Sequence, residues 1–196
     1  MSIALGRFVT GDGGFDFSAL RRAVKHAVLV GDRFADLVVQ LDDATSEIAH
    51  STRPVCVGIH GLADVLILLG MPYTSSEARI TSVEIYETFY SALLSGSCSL
   101  AEVHGTCSTW ARSPGEEGRH YISMWPVEMD PDQEFDVLRR LIAKHGLRNS
   151  VMGCLPPMRW FPAVVAAEEA LDPHYRWPYS SVGTPKETTH HQSAAI

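Results

Sequence analysis

Cysteine side chains have the widest chemical repertoire in this chain, because thiolates bind metal ions, form disulfides and act as nucleophiles. They stand at Cys56, Cys98, Cys107 and Cys154. None lies in the C-x-x-C spacing that zinc sites and redox-active pairs use. We therefore predict four buried, reduced thiols, and the sequence indicates neither a zinc site nor a redox pair.

Two other pairs have residue types that could do chemistry. Glu84 and Glu87 lie one helical turn apart, which would suit two acids working together, but such carboxylates are more often exposed or capping. His190 and His191 would suit a metal ion, yet we predict that they belong to a C-terminal tail. No residue pattern in the chain indicates a bound cofactor.

Residues 53–70 are the stretch around which we expect the fold to form. Alternating β-branched residues predict a short strand, and the apolar run that follows predicts a buried helix. Glycines separate the two elements, and a glycine and a proline stop the helix. The strand is carried by Val55, Val57 and Ile59, the helix by Leu62 to Leu69, and the stop by Gly70 and Pro72. This strand-turn-helix unit is typical of α/β folds.

Apolar residues at helical spacing predict a long helix before this unit. Asp16 or Ser18 caps it, Gly31 weakens it midway, and Asp32 lies on its polar side with Arg21, Arg22 and Lys25. Its apolar positions are Phe17, Leu20, Val24, Val28, Phe34, Leu37, Val38 and Leu41. The polar stretch from Asp42 to Thr52 predicts a loop.

A second long helix is predicted after the capping-box pattern Thr74-Ser75-Ser76-Glu77, ending at His104-Gly105. Its apolar stripe is Ile80, Val83, Tyr86, Tyr90, Leu93, Leu94 and Leu100. A surface excursion from Thr106 to Pro131 precedes a third helix. That helix turns Phe135, Leu138, Leu141 and Ile142 inward and ends at Gly146, and Val151-Met152 leads into another strand.

Composition excludes several classes of protein. The chain has 196 residues, 45% of them hydrophobic, which is enough for one core. A net charge of -7 argues against a nucleic-acid-binding surface, because phosphate contacts need clustered Lys and Arg. No apolar run approaches the ~20 residues of a membrane span. The N-terminus lacks a basic segment ahead of a long apolar stretch, so we expect an intracellular protein.

Four segments in the same order resemble the large subunit of class I ribonucleotide reductases. The pattern R-P-x-x-x-G-x-x-G-L-A-D, from Arg53 to Asp64, resembles a signature late in the family's barrel. The family usually has Gln where His60 stands and Gly where Cys56 stands. The other segments are similar to its I-F-E-T-x-Y helix, its S-P and M-W pairs, and its K-Y-G-[IL]-R-N-S motif. They are Ile85 to Tyr90, Ser113-Pro114 with Met124-Trp125, and Lys144 to Ser150.

The resemblance runs roughly from Ser2 to Pro173 and implies a late portion of a much longer chain. It also implies radical-based reduction of ribonucleotides, with the radical supplied by a small subunit. The family does this with a thiyl cysteine inside N-x-C-x-E, a redox cysteine pair, a C-terminal shuttle pair and paired tyrosines. This sequence contains no N-x-C-x-E and no adjacent Tyr-Tyr. The family's first redox cysteine would fall just before Met1.

One family element should lie inside this chain, namely the loop after R-N-S, usually P-T-A-S-T, which holds substrate phosphate through hydroxyls and backbone amides. The aligned residues are Leu155, Pro156, Pro157, Met158, Arg159 and Trp160. Only Pro156 matches. Pro157 removes an amide donor, and Met158 and Trp160 add bulk. Arg159 could bind phosphate, and it could equally be a packing or interface residue.

The sequence therefore predicts an α/β fold, a partial reductase-type barrel over residues 1–178 with a flexible tail over residues 179–196. It has no catalytic or metal-binding residues that we can assign. We expect a cytoplasmic interaction protein without reductase activity, resembling divergent herpesvirus large-subunit homologues. Its partners would be a reductase small subunit, other proteins or further copies of itself. Two alternatives remain: a segment of an active reductase whose cysteines lie elsewhere, and a truncated, poorly folded remnant.

Overall fold

The structure is a computed structural model that describes residues 1–38, 43–117, 133–154, 171, 179–182 and 188–191. It is helix-rich and of the predicted α/β class. The strands are β1 (Ser2–Ala4), β2 (Gly58–His60), β3 (Tyr179–Val182) and β4 (Thr188–His191). The α-helices are α1 (Phe17–Val38), α2 (Asp43–Thr52), α3 (Leu62–Leu68), α4 (Ser76–His104) and α5 (Gln133–His145), and short 3-10 helices span Leu5–Phe8 and Trp110–Arg112.

By contacts the chain divides into two compact units. The first comprises Met1, Arg21–Val57 and Thr88–Gly153, and the second comprises Ser2–Leu20, Gly58–Glu87 and Cys154–Ile196. In the first unit, residues 55–57 run parallel to residues 151–153: Val55 N donates to Val151 O at 2.7 Å and Val57 N donates to Met152 O at 3.0 Å. In place of the strand predicted after the third helix, the described chain has an isolated parallel bridge between Val57 and Gly153.

The second unit contains a two-stranded parallel sheet of β1 and β2. Its register pairs Ser2 with Gly58, Ile3 with Ile59 and Ala4 with His60. Parallel pairing of this kind belongs to α/β folds, where helices cover the sheet. The strands of the described ranges do not close into a barrel.

The second unit also holds β3 and β4, which pair antiparallel with Tyr179 opposite His191. His190 and His191 thus lie in a strand. The predicted boundary between a barrel segment ending at 178 and a flexible tail stays a prediction. The later part of the predicted surface excursion, residues 118–132, lies outside the described residues.

Local sequence signals account for most helix ends. Asp16 caps α1, because its Oδ1 accepts a hydrogen bond from Ala19 N at 2.8 Å. Gly70 follows α3 with φ 67°, a left-handed conformation that suits glycine. The predicted cap of α4 was one residue early: Ser75, not Thr74, accepts from Ala78 N at 3.1 Å.

Helix α2 corrects the prediction of a loop before Thr52. Among residues 45–52 of this helix only Ala49 is buried, at 8% exposure, and the other side chains are exposed or half-buried, which is why the stretch looked uniformly polar. The Ser51 and Thr52 hydroxyls donate to Ile48 O at 3.1 and 2.7 Å. These bonds follow the helix path instead of competing with it.

The predicted apolar faces of α1 and α4 were partly wrong. In α1 the buried face is an i, i+4 series of Leu20, Val24, Val28 and Asp32. Phe34 and Leu37, predicted to be in the core, are each 58% exposed. The prediction found the helical periodicity of α1 but placed Asp32 on the exposed side. Asp32 is in fact on the buried side, where it pairs with Arg53. Exposure also contradicts the predicted inward positions of Ile80, Val83 and Leu141.

Helix α1 continues through Gly31, and the prediction that this glycine weakens the helix stays a prediction. A Cβ atom at this position would lie 2.5 Å from Val55 Cγ1 and 2.8 Å from Met1 Cε. Glycine is therefore needed here for close packing of the helix against residues 55–57, and not as a helix breaker.

The core of the first unit is an apolar cluster between the C-terminal half of α4 and α5. It consists of Leu94, Cys98, Leu138, Ile142 and Leu147, flanked by Tyr90, Trp110, Phe135 and Met152. The core of the second unit includes Leu5, Val65, Leu66 and Ile85, each at most 2% exposed. None of the helices in the described ranges is long and apolar enough to cross a membrane.

Candidate functional site

Asp32 is the centre of a buried polar network in the first unit. Its Oδ1 accepts from Arg53 Nε at 2.8 Å and from Asn149 Nδ2 at 3.0 Å. Arg148 Nε lies 3.6 Å from Asp32 Oδ2. The network therefore joins α1 to the R-P and R-N-S segments singled out in the sequence. We call Asp32, Arg53, Ser97, Arg148 and Asn149 the Asp32 network.

Arg53 is almost fully enclosed, at 2% exposure. Its Nη2 donates to the backbone oxygen of Asp32 at 2.9 Å and pairs with Asp36 Oδ1 at 2.8 Å. Its backbone has φ 45°, in the left-handed region that L residues seldom occupy. The surrounding bonds over-determine this conformation, so Arg53 fixes how the chain passes from α2 into residues 55–57.

Asn149 and Arg148 tie the R-N-S segment to helix α4. Asn149 Nδ2 also donates to Arg53 O at 3.1 Å. Arg148 Nη1 donates to His104 O at 2.9 Å and to Gly105 O at 3.1 Å, which satisfies carbonyls at the end of α4. Each of the two residues thus has a structural role in the described part of the chain.

The electrostatics of the Asp32 network favour its charged state. Burial works to raise the pKa of Asp32, but hydrogen bonding and charge from Arg53, together with Asn149 and Arg148, hold that pKa below its ordinary value. The carboxylates of Asp32 and Asp36 likewise raise the pKa of Arg53 against the effect of burial. At the centre of the network, Asp32 and Arg53 form a buried ion pair in which each charge balances the other. Because both side chains are shielded from solvent, we assign the pair a structural role.

A second buried polar group lies in the second unit. His60, at 2% exposure, ends β2, and its Nδ1 forms a short hydrogen bond with Ser2 Oγ of β1. Its Nε2 is buried and has no hydrogen-bond partner among the described residues. Burial lowers the pKa of His60 below its ordinary value, although the charge of Asp64 works to raise it.

The cysteine prediction was half right. Cys98 and Cys107 are free and buried. Burial, with a smaller effect from Glu102, raises the pKa of the Cys98 thiol, so this thiol is poorly disposed to react. Cys56 and Cys154, by contrast, are disulfide-bonded. Cys56 is exposed and Cys154 half-buried, so neither is the enclosed thiol that we predicted.

The segment predicted to be a degenerate phosphate loop, Pro156 to Trp160, lies outside the described residues. What the structure does describe is the chain leading to it, which is fixed by Asn149 and by the parallel pairing of residues 151–153 with residues 55–57. In the described ranges no three His, Cys, Asp or Glu side chains come together as a metal site.

Exposed apolar surface is found on the first unit. A groove of about 390 Å³ lies between the C-terminal half of α1, α2 and residues 54–56. Phe34 lines it, and Leu37 and Ile48, on the same two helices, are 58% and 64% exposed. Apolar groups concentrated in this way are typical of a protein contact surface.

Sequence reasoning missed Asp32, Asp36 and Ser97. A signal for Asp32 existed in the i, i+4 series that begins at Leu20, since Asp32 continues it by one step. Ser97 follows Gly96, where a Cβ atom would come within 3.3 Å of Val28 Cβ. Small residues at this point of α4 indicate a close helix contact, but nothing local indicates which polar group the serine meets.

Comparisons with known proteins find one family over most of the chain. The family model "Ribonucleotide reductase, barrel domain" matches residues 1–190. This chain belongs to the ribonucleotide reductase barrel-domain family. Relatives include the ribonucleoside-diphosphate reductase large subunits of Caenorhabditis elegans, 36% identical, and Danio rerio, 32% identical, each over 88% of this chain. A viral relative, from Variola virus, is 34% identical over 88% of the chain.

The family assignment confirms the resemblance drawn from the four collinear segments. The chain covers only 22% of the length of the Caenorhabditis elegans, Danio rerio and Variola virus proteins. In those relatives the matched segment is therefore part of a much longer polypeptide. In this family member, Arg53 of the R-P pair and Arg148 and Asn149 of the R-N-S segment make hydrogen bonds that hold the scaffold together.

Proposed function

We propose that this chain is part of a ribonucleotide reductase large-subunit homologue that keeps the barrel scaffold, does not reduce nucleotides and acts by binding other proteins. The observation that carries the proposal is a contrast along one stretch of chain. Asn149 keeps four hydrogen bonds to three network residues, namely Asp32, Arg53 and Ser97. Shortly after it, Pro156 to Trp160 contains no hydroxyl side chain.

This contrast bears on substrate binding, because phosphate loops depend on oriented amides and small or hydroxyl residues. Pro157 supplies no amide, and Met158 and Trp160 supply bulk. Arg159 is the one residue there with a charge that suits phosphate. A chain that keeps the barrel scaffold but lacks the residues for phosphate binding is best explained as a cytoplasmic protein that binds other proteins.

Protein contacts are supported by the apolar groove lined by Phe34 and by the neighbouring exposed Leu37 and Ile48. Candidate partners are a reductase small subunit and a second copy of the chain. We expect association at tens of micromolar in sedimentation velocity. Phe34→Glu should weaken it, whereas Val103→Glu, at a residue that is 73% exposed on α4, should not. A sharp monomer peak for the unaltered chain would count against an interaction role.

The second candidate is a segment of an active reductase. It is favoured by the 22% coverage of the relatives, because the catalytic cysteines could then lie in sequence outside these residues. The sequence upstream of Met1 separates the candidates: a reading frame there that encodes N-x-C-x-E would favour the active enzyme. With a competent small subunit, ribonucleoside diphosphate and a dithiol reductant, we expect the 196-residue chain itself to form no deoxynucleotide above a blank without it, and product above that blank would contradict its lack of reductase activity.

A further inference from the structure

We propose that His60 is an acid-sensitive latch: protonation of its ring releases strand β1 from strand β2. The latch goes beyond the proposed function and does not depend on it. It rests on two observations: the imidazole of His60, in β2, bonds to Ser2 in β1, and only one of its two ring nitrogens has a hydrogen-bond partner among the described residues.

Strand β1 has only three residues, and all three are half-buried. Strands this short are marginal when little else holds them. The bond between Ser2 Oγ and His60 Nδ1 adds a side-chain tie to the backbone register of Ala4 with His60. Loss of this hydrogen bond should therefore weaken the pairing of β1 before that of other elements.

In a neutral ring one nitrogen is a donor and the other an acceptor, so the Ser2 bond can form while Nε2 keeps a lone pair. In the protonated ring both nitrogens are donors. Nε2–H would then be a buried cationic donor, and no acceptor is placed for it among the described residues. Such a group is costly, so protonation favours opening.

Asp64, in the first turn of α3 and 4% exposed, is the charged group whose field acts on the ring. Strand β1 carries no ionisable side chain, and Arg7 on the following 3-10 helix is exposed. The field of Asp64 supports the cation, but burial has the larger effect and keeps the pKa of His60 below its ordinary value.

The sign of the pH dependence follows. The unfolded or released histidine takes up a proton near pH ~6.5, while the latched ring stays neutral to lower pH. Stability of the β1–β2 pairing is therefore complete above pH ~6.5 and falls as the pH drops below it. The loss is up to about tenfold in the opening equilibrium per pH unit, until the lowered pKa of the latched ring is reached.

Hydrogen exchange on the 196-residue chain at pH 7.5 and 5.5, corrected for intrinsic rates, tests the latch. Protection of residues 2–8 should fall several-fold, up to about tenfold, at the lower pH, while α5 is unchanged. His60→Gln should remove the difference, because an amide does not titrate here. His26→Gln, on the exposed face of α1, is the matched control and should behave like the unaltered chain.

Two results would overturn the latch. One is equal protection of residues 2–8 at both pH values in the unaltered chain. The other is loss of protection in β1 and α5 together, which would indicate global unfolding. Both readings use the unaltered chain, so the test stands even if His60→Gln does not fold.

Discussion

Ser97 and Asn149 share two hydrogen bonds: Ser97 Oγ donates to Asn149 Oδ1 at 2.8 Å and accepts from Asn149 N at 3.0 Å. Both residues are buried, at 0% and 2% exposure. The serine hydroxyl thus satisfies a backbone and a side-chain group at once. This pair joins helix α4 to the R-N-S segment. The segment precedes Pro156 to Trp160, where we propose that phosphate contacts are lost.

Ser97→Ala should therefore destabilise the chain by about 1–3 kcal/mol, since it leaves Asn149 N and Oδ1 without this partner in a buried site. Urea unfolding measures the change. Ser99→Ala is the control: Ser99 is an exposed residue on the same helix and donates only to Ser95 O, so its loss should cost less than ~0.5 kcal/mol. Equal effects would mean that Ser97 does not support the network.

Asp32→Asn should cost about 3–5 kcal/mol, because it leaves Arg53 buried without its main counter-charge. Asp36→Asn is the matched control, since Asp36 also pairs with Arg53 but is 46% exposed. An ion pair of that kind is worth about 0–1 kcal/mol. If the two substitutions cost the same, Asp32 is not the centre of the network.

The same pair predicts a pH dependence. The pKa of Asp32 is lowered in the folded chain from 3.8, so its contribution to stability is present above that value and is lost as the pH falls through the lowered folded pKa. Acid unfolding of the unaltered chain should steepen in this range. The Asp32→Asn variant should lack that component, and an unchanged acid profile would contradict the assignment.

Gly105 and Gly146 allow helix-end packing to be separated from backbone strain. Both follow a helix with positive φ, 78° and 73°. A Cβ at Gly105 meets nothing within 4 Å, whereas at Gly146 it would lie 2.4 Å from Thr106 Cγ2 and 2.9 Å from Trp110 Nε1. Gly105→Ala should cost about 1–2 kcal/mol, and Gly146→Ala at least about 1 kcal/mol more. Equal costs in thermal unfolding would exclude a packing role for Gly146.

Local signals in the sequence were sufficient for much of the fold. The Asp16 cap, the strand-turn-helix unit and the glycine ends of α3, α4 and α5 depend on residues a few positions apart, so they could be predicted. The loop predicted before Thr52 failed because α2 is polar on nearly every side, and periodicity cannot reveal a helix that buries so little.

The Asp32 network could not be predicted in the same way. A carboxylate on a helix is normally assigned to the solvent side, and its burial here depends on Arg53, 21 residues away, and on Asn149, 117 residues away. The motifs R-P and R-N-S were found from their resemblance to the family, but their common partner became visible only in three dimensions. The disulfide-bonded state of Cys56 and Cys154 has no local signature either.

Nucleotide binding by the loop from Pro156 to Trp160 is the most direct test of the account. Two lost hydroxyl contacts to a charged oxygen are each worth about 1.5–3 kcal/mol, so affinity should fall by at least about a hundredfold. Titration calorimetry with a ribonucleoside diphosphate at millimolar concentration should therefore show no saturable heat. Saturable binding that Arg159→Ala abolishes would show a rebuilt phosphate site and contradict the proposal.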